Sequence, residues 1–451
     1  MNTDDASIAL DKLSEALQGD DLKHVRYMLN KGMRPVEAAH LLEKTPPRER
    51  RILWNLLNQD IQGDVLQYLG EDVQAEIVSD LDASTLLVMT ESFDTDDLAD
   101  ILQHLPDTVM QEMLQNMDLQ NRERVEAVLS YPDDTAGGLM NTDTVTMRPD
   151  ITVETALRYL RRHREIPDST DSIFVVSRKR NTLIGILPLT RLLVSDPTML
   201  VREIMNTEQD HAIHADLPEL EVARIFEQRD LISAPVINDE RQLLGRITID
   251  DVVDVIREDA DHSLMSLAGL DDDEDTFAPV MKTTRRRALW LGVNLITAFL
   301  ASAVIGVFEA TIDRVVALAV LMPIVASMGG IAGSQTLTLV IRGQALGHIE
   351  RNNIGWLFNR ELIVSLLNGL LWAAVVAIVA VLWFGDTTIG IVIALAIMIN
   401  LVAGAMAGSL LPLTLKQLGI DPALAGGVLL TTITDVVGFF AFLGLATFFY
   451  G

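Results

Sequence analysis

The chain has 451 residues, with 35 basic against 63 acidic side chains, a formal charge of −28 at neutral pH and no cysteine. Such an acidic excess disfavours nucleic acid and anionic lipid as partners and favours cations, or serves only to keep a polar region in solution. Without cysteine there are no disulfides, zinc–thiolate sites or thiol catalysis, and the length exceeds one ordinary domain.

Residues 1–277 are polar and acidic; from Ala288 the sequence is mostly apolar. The first seven residues carry no basic segment followed by an apolar one, so no cleavable signal is expected and the polar half stays on the side where it is made. Residues 6–131 read as short amphipathic helices with apolar positions three and four apart, broken at Pro35, Pro46, Pro47, Gly63, Gly70, Pro106 and Pro132. Segment 64–76 aligns with 100–112, 36 residues on, which predicts stacked helix pairs rather than a closed bundle.

Past Gly137 and Gly138, short β-branched runs alternate with helices. Met140-Asn141-Thr142 recurs as Met205-Asn206-Thr207, and each opens a unit of helix (152–164; 217–229), strand (172–177; 234–237), a second strand through Gly185 or Gly245, and a closing helix. These tandem units resemble a pair of CBS domains, the cystathionine-β-synthase-type modules. Gly245, Thr248 and Asp251 match that family's Gly-x-x-Thr-x-x-Asp end, where threonine and aspartate hold the ribose and phosphate of an adenine nucleotide. Pro188 and Arg191 occupy the matching places of the first unit, so the resemblance implies at most one nucleotide site. The alternative is that the modules only pack and transmit motion.

The closing helix of the second unit continues through Asp250, Asp251, Asp254, Glu258, Asp259, Asp261 and His262. Positions 251, 254 and 258 share a helical face. Carboxylates about 5 Å apart repel by about 1–3 kcal/mol per pair at dielectrics typical of protein surfaces, and a divalent cation reverses that sign. A solvated acidic helix is the other reading, and it is the one adopted for 271–275, where Gly269 predicts a linker.

A basic cluster (Lys282, Arg285, Arg286, Arg287) precedes five apolar stretches: 288–308, 315–341, 362–384, 389–415 and 423–449. Each can cross a hydrocarbon core of about 30 Å. Arg342, Arg351 and Arg360 follow the second and Lys416 follows the fourth, whereas 309–314 and 385–388 are short and carry acid. The positive-inside bias then puts the polar half in the cytoplasm and the C-terminus outside.

Within the second stretch, residues 323–335 hold Pro323, Gly329, Gly330 and Gly333, a composition that predicts an interrupted helix at membrane depth. Such freed backbone is tolerable only when packed in protein or lining a wet cavity. Asp435, in the last stretch, would cost about 2.5–3.5 kcal/mol facing lipid at a helix centre, and is expected to face the same cavity. It can bind a cation, carry protons or serve structure alone; Thr431, Thr432 and Thr434 bring hydroxyls nearby. The small residues Ala403, Gly404, Ala407 and Gly408 are assigned to helix packing.

The order of helical stack, two CBS modules, connecting helix and five spans resembles the MgtE-type magnesium channels. So do Pro323, Gly329, Gly330, Gly333 and Gln335 and the Thr-Thr-Ile-Thr-Asp run at 431–435. The resemblance implies a multidomain chain: an N-terminal all-α helical stack (1–135), an α/β tandem CBS pair (136–200 and 201–258), a plug helix and linker (259–284) and a five-helix transmembrane domain (285–451). It further implies a homodimer in the lipid bilayer of the plasma membrane, with Pro323, Gly329, Gly330, Ile331, Gly333, Gln335 and Thr431 lining a pore where Asp435 holds hydrated Mg²⁺. Intracellular Mg²⁺ would close that pore by bridging Asp94, Asp96 and Asp97 of the stack, Asp250, Asp251 and Asp254 of the second module, and Glu258, Asp259 and Asp261 at the plug. Where the family has asparagine, this chain has Ile331, which opens a second reading as a transporter of Mn²⁺ or Co²⁺, coupled or not to Na⁺ or protons. His262 points the same way, since imidazole suits softer divalent metals. A third reading is a membrane-anchored nucleotide sensor without transport. No nucleophile–base pair, phosphate loop or catalytic metal cluster marks an enzyme.

Overall fold

The computed structural model describes residues 22–90, 93–103, 105–162, 166–167, 169–178, 180–207, 212–267, 277, 280–349 and 352–451. Residues 6–21, His104, Arg164, Gly269, Asp271–Asp275 and Arg351 lie outside the described residues, as do the side chains of Lys282 and Arg286. Two compact units emerge, Met1–Ala260 with Asp273–Pro279, and Asp261–Asp272 with Val280–Gly451.

Among the described residues the first unit has nine short helices ahead of its sheets: α1 (Leu22–Tyr27, running into a π-helical turn, Met28–Gly32), α2 (Pro35–Glu43), α3 (Pro47–Leu56), α4 (Gln59–Gln67), α5 (Glu71–Val78), α6 (Ala83–Met89), α7 (Thr95–Gln103), α8 (Asp107–Asn116) and α9 (Leu119–Val128). Pro35 and Pro47 open their helices, where a missing N–H costs nothing, and Asp82 and Asp118 accept hydrogen bonds from the first-turn amides of α6 and α9. Alternate helices pack on one another: α2 on α4, α4 on α6, α6 on α8 and α7 on α9. This is a stack, and the repeat corresponds to α4–α5 and α7–α8. Gly63 is not a break. It sits inside α4 because a Cβ there would stand 2.3 Å from the Met89 carbonyl oxygen, so glycine here permits close helix approach.

Two three-stranded sheets follow. The first contains β1 (Thr146–Met147), β2 (Ser172–Val176) and β3 (Leu183–Pro188); the second contains β4 (Ile213–His214), β5 (Ser233–Ile237) and β6 (Leu243–Thr248). Each has its first two strands parallel, its last two antiparallel, and a bulge at the matching point of the central strand. Helices α10 (Val153–Arg162), α11 (Leu189–Val194) and α12 (Val201–Ile204) accompany the first sheet, and α13 (Glu219–Arg229) and α14 (Ile249–Leu267) the second.

The lead segments are exchanged. Asn141, ahead of the first module, bridges Arg246 in β6, and Asn206, ahead of the second, bridges Ile186 in β3. Ala136 and Met140 accordingly lie in the second module's core, and Val201 and Ile204 in the first's. A Cβ on Gly185 would come within 2.5 Å of the Asn206 oxygen, and one on Gly245 within 2.7 Å of the Asn141 oxygen. Glycine is needed at both positions for this reason.

Among the described residues of the second unit five helices are long and apolar enough to cross a membrane: α15 (Val280–Val307, its apolar part Thr283–Val307), α17 (Ala317–Ala345), α18 (Ile354–Phe384), α19 (Thr387–Gln417) and α20 (Pro422–Tyr450). A short α16 (Glu309–Arg314) joins the first two. Helix α19 packs against α17, α18 and α20. Helix α18 starts eight residues earlier than the apolar pattern predicts. The reason is that Glu361 is buried, pairs with Arg360 at 2.5 Å and accepts from the Thr336 hydroxyl at 3.1 Å.

The expected interruption at 323–335 is absent: α17 runs unbroken from Ala317 to Ala345 with Pro323 inside it. Each glycine costs a helix about 1 kcal/mol, whereas a backbone group left unpaired in hydrocarbon costs several. The helix therefore wins, and the glycines serve contact. A Cβ on Gly404 would lie 2.7 Å from the Gly329 oxygen and one on Gly408 2.5 Å from the Gly333 oxygen, so α17 and α19 touch backbone to backbone.

Candidate functional site

In the second unit, α17 and α20 border an open groove of about 680 Å³ lined by Ala326, Ser327, Gly330, Ile331, Ser334, Gln335, Thr338, Thr431 and Asp435. Spacings of three and four along α17 select one face, and the half-buried Asp435 stands across from it. No lysine or arginine lines the groove, whose polar groups are hydroxyls, an amide and one carboxylate. That chemistry suits a hard cation still carrying water. Of the residues expected on the pore, Gly330, Ile331, Gln335 and Thr431 line the groove.

Gly329 and Gly333 do not, and this is a correction. They occupy the opposite face of α17, buried against Asn400 and against Gly404 and Leu430. Pro323 is exposed and outside the groove lining. Thr431 and Thr432 donate to their own helix at Gly427 and Val428, so their hydroxyls keep only acceptor capacity. Sequence reading passed over Asn400, which is wholly buried; its Nδ2 donates to the Val325 carbonyl at 2.8 Å, and its Oδ1 has no partner among the described residues. An unsatisfied buried oxygen costs about 1–3 kcal/mol.

The first unit holds an acid-lined cavity of about 300 Å³. Helix α7 supplies Asp96, Asp97, Asp100 and Gln103; the connection between α9 and β1 supplies Asp133, Asp134 and Leu139; α13 supplies Glu219; α14 supplies Asp251, Asp254, Val255 and Glu258. Nine carboxylates and no basic side chain line it. Asp251, Asp254 and Glu258 do share one face, as their spacing predicts. Asp100, Asp133, Asp134 and Glu219 were not singled out from sequence, although Asp100 stands one turn from Asp96 and Asp97 and was legible by the same spacing.

Asp94, Asp96 and Asp97 place carboxylate oxygens within 4.8 Å of one another. Asp96 is 8% exposed and its Oδ1 lacks a hydrogen-bond partner among the described residues. Burial first, then the charges of Asp251, Asp97 and Asp94, pushes its carboxyl well above the usual range. Burial likewise raises Asp97 to about 6, against the Gln67 hydrogen bond and aided by Asp94, Asp250 and Asp254. Burial, with the charges of Asp250 and Asp97, carries Asp251 to about 7, despite hydrogen bonds from the Thr248 amide at 3.0 Å and hydroxyl at 2.9 Å. The Thr248 hydroxyl lies between Asp251 and Asp250 and shares its single proton with both carboxyls. Asp259 and the exposed Asp261 are not in the cavity lining, and His262 Nε2 lies 3.6 Å from the Asp421 carboxylate that caps α20.

A stranded carboxylate oxygen among eight further acids fits a hard divalent cation. Six waters at about 30 Å³ each fill about 180 Å³, so the cavity has room for Mg²⁺ with its shell.

Membrane-length helices with a carboxylate in a polar groove, on a chain that also carries an acid-lined helical stack and paired CBS modules, fit the class of membrane cation transporters. The comparisons with known proteins agree. The family model described as "Divalent cation transporter" matches residues 322–445, the "MgtE intracellular N domain" matches 33–134, and the "CBS domain" matches 136–195 and 201–258. The chain is 31% identical to the magnesium transporter MgtE of Bacillus subtilis over 92% of either chain. It is also 31% identical to that of Thermus thermophilus over 96% of this chain and 97% of the relative. Among solved structures, the cytosolic domain of the Mg²⁺ channel MgtE in complex with ATP is 35% identical, covering 55% of this chain and 99% of that one at a TM-score of 0.49. The chain belongs to the MgtE family of divalent cation transporters.

Proposed function

We propose that the chain conducts Mg²⁺ across the membrane and that Mg²⁺ in the acid-lined cavity controls it. The observation that carries the first part is Asp435, a carboxylate in a membrane-length helix, on a polar groove lined by no basic residue. Hydrated Mg²⁺ passes along this groove, held by Asp435 and by the hydroxyl and amide oxygens opposite. The relatives named as magnesium transporters support this choice of ion.

For control, Asp96, Asp97, Asp251, Asp254 and Glu258 hold Mg²⁺ at high cytoplasmic concentration and draw α7 and α14 together. When the ion leaves, the carboxylates repel. Asp94 and Asp250 contribute charge from the rim, and Asp259 and Asp261 extend the acidic run along α14. The groove, open along one side, is half of a pore completed by a second copy, and positive flanking residues set the C-terminus outside. Thr248 and Asp251, already hydrogen-bonded to each other at the start of α14, are the groups for an adenine nucleotide at the second module. Loss of nucleotide affinity in Thr248→Val, with the CBS pair still folded, tests that assignment.

A second reading, transport of Mn²⁺ or Co²⁺, is favoured by Ile331, 57% exposed on the groove where it offers neither donor nor acceptor. Flux of each metal into liposomes carrying the wild type or Asp435→Ala decides between them. Mg²⁺ uptake that vanishes in the variant is expected; undiminished uptake would remove Asp435 from the pathway.

A further inference from the structure

None of the residues lining the groove comes from α19, yet α19 carries the most deeply buried amide of the membrane unit. Asn400 lies where α17 and α20 converge. A Cβ built on Gly329 would stand 2.2 Å from its Nδ2, and one on Gly438 would stand 2.6 Å from the same atom. The amide therefore fills a notch made by two glycines, one on each groove-lining helix. Gly329 is the chain neighbour of Gly330, which faces the groove, and Gly438 lies one turn beyond Asp435. Nδ2 donates to the Val325 carbonyl, one turn before Gly329, and so ties the amide to the back of α17.

Leucine branches at the same atom and would strand no polar atom, although it is bulkier than the amide. Asparagine instead leaves Oδ1 buried without a partner among the described residues. An amide kept inside a membrane bundle bonds across helices and fixes how they approach. What asparagine supplies and leucine does not is a directed bond that ties α19 to α17, while Gly438 lets α20 close on the other side of the same amide.

We propose that Asn400 is a positioning residue that sets the width of the cation groove, holding the Ser327–Gly330–Ser334 wall of α17 at a fixed separation from Asp435 on α20. It rests on the groove's being the cation path. Mg²⁺ sheds its waters reluctantly and Mn²⁺ does so more readily, so a groove of fixed width that admits the hydrated ion discriminates between them, and a slack groove does not.

The test is competitive uptake of Mg²⁺ and Mn²⁺ by the full chain in liposomes, read as the ratio of initial rates. Asn400→Leu, compared at equal protein incorporation, is expected to lower the Mg²⁺:Mn²⁺ ratio by about threefold or more, the factor one net hydrogen bond carries. Gly438→Ala, which drives a methyl into the same amide, is expected to shift the ratio in the wild type and to add nothing in an Asn400→Ala background. This cycle decides the matter if the leucine variant does not fold. A folded leucine variant with an unchanged ratio, or equal Gly438→Ala shifts in both backgrounds, overturns the proposal while leaving Mg²⁺ transport intact. Absence of divalent uptake by the wild type would instead remove the function itself.

Discussion

Asp251→Asn tests the electrostatics of the acid-lined cavity. In the folded chain the Asp251 carboxyl is raised from 3.8 to about 7, chiefly by burial and then by Asp250 and Asp97. A shift of that size, which already includes the opposing Thr248 hydrogen bonds, makes the ionised form cost about 4 kcal/mol, and residual solvent screening reduces the usable part to about 2 kcal/mol. The sign follows from proton binding: between the unfolded and folded values the folded state holds more protons, so stability present at acid pH is lost as pH rises toward 7. Asparagine removes the charge and keeps an acceptor for Thr248. In metal-free buffer at about pH 7.5, the variant is expected to protect α7 and α14 from hydrogen exchange by about 2 kcal/mol more than the wild type. Saturating Mg²⁺, worth about 2.7 kcal/mol to the wild type at a hundred times its dissociation constant, should gain the variant less. Equal or weaker metal-free protection in the variant, together with an undiminished Mg²⁺ gain, would refute the reasoning.

Protons compete with metal at Asp97 and Asp251, so the Mg²⁺ concentration that halves flux should rise as pH falls through the range from 7 to 6 that their carboxyls span; a flat dependence would exclude them as ligands. Gly408→Ala places a methyl 2.5 Å from the Gly333 carbonyl and should destabilise the membrane unit by about 1–3 kcal/mol, seen as a lower melting midpoint in detergent with soluble-unit exchange unchanged. Gly245→Ala pushes against the Asn141 oxygen at 2.7 Å and should raise hydrogen exchange in residues 136–141 before it affects the first module's sheet. Unchanged exchange there would show that the lead segment yields without cost.

Much of this architecture is legible in residue spacing. The helical stack, the duplicated strand order and the five long apolar helices follow from periodicities of 3.6 and 2, which depend on neighbours close in sequence. The acidic face at Asp251, Asp254 and Glu258 was legible for the same reason. Asp133, Asp134 and Glu219 were not, because they join the cavity through tertiary packing of segments far apart in the chain. The glycines of α17 misled in the other direction: their helix penalty is a value for water, and in hydrocarbon the cost of unpaired backbone outweighs it. Asn400 gave no sequence signal, since a lone amide in an apolar run shows neither its burial nor its stranded oxygen.

The crossed leads at Asn141 and Asn206 make the two CBS modules hostages of each other. Neither can be excised, swapped for a homologue or unfolded alone without stripping a strand-side contact and several core residues from its sibling. A change that stiffens one sheet therefore stiffens both, and the pair behaves as one mechanical part.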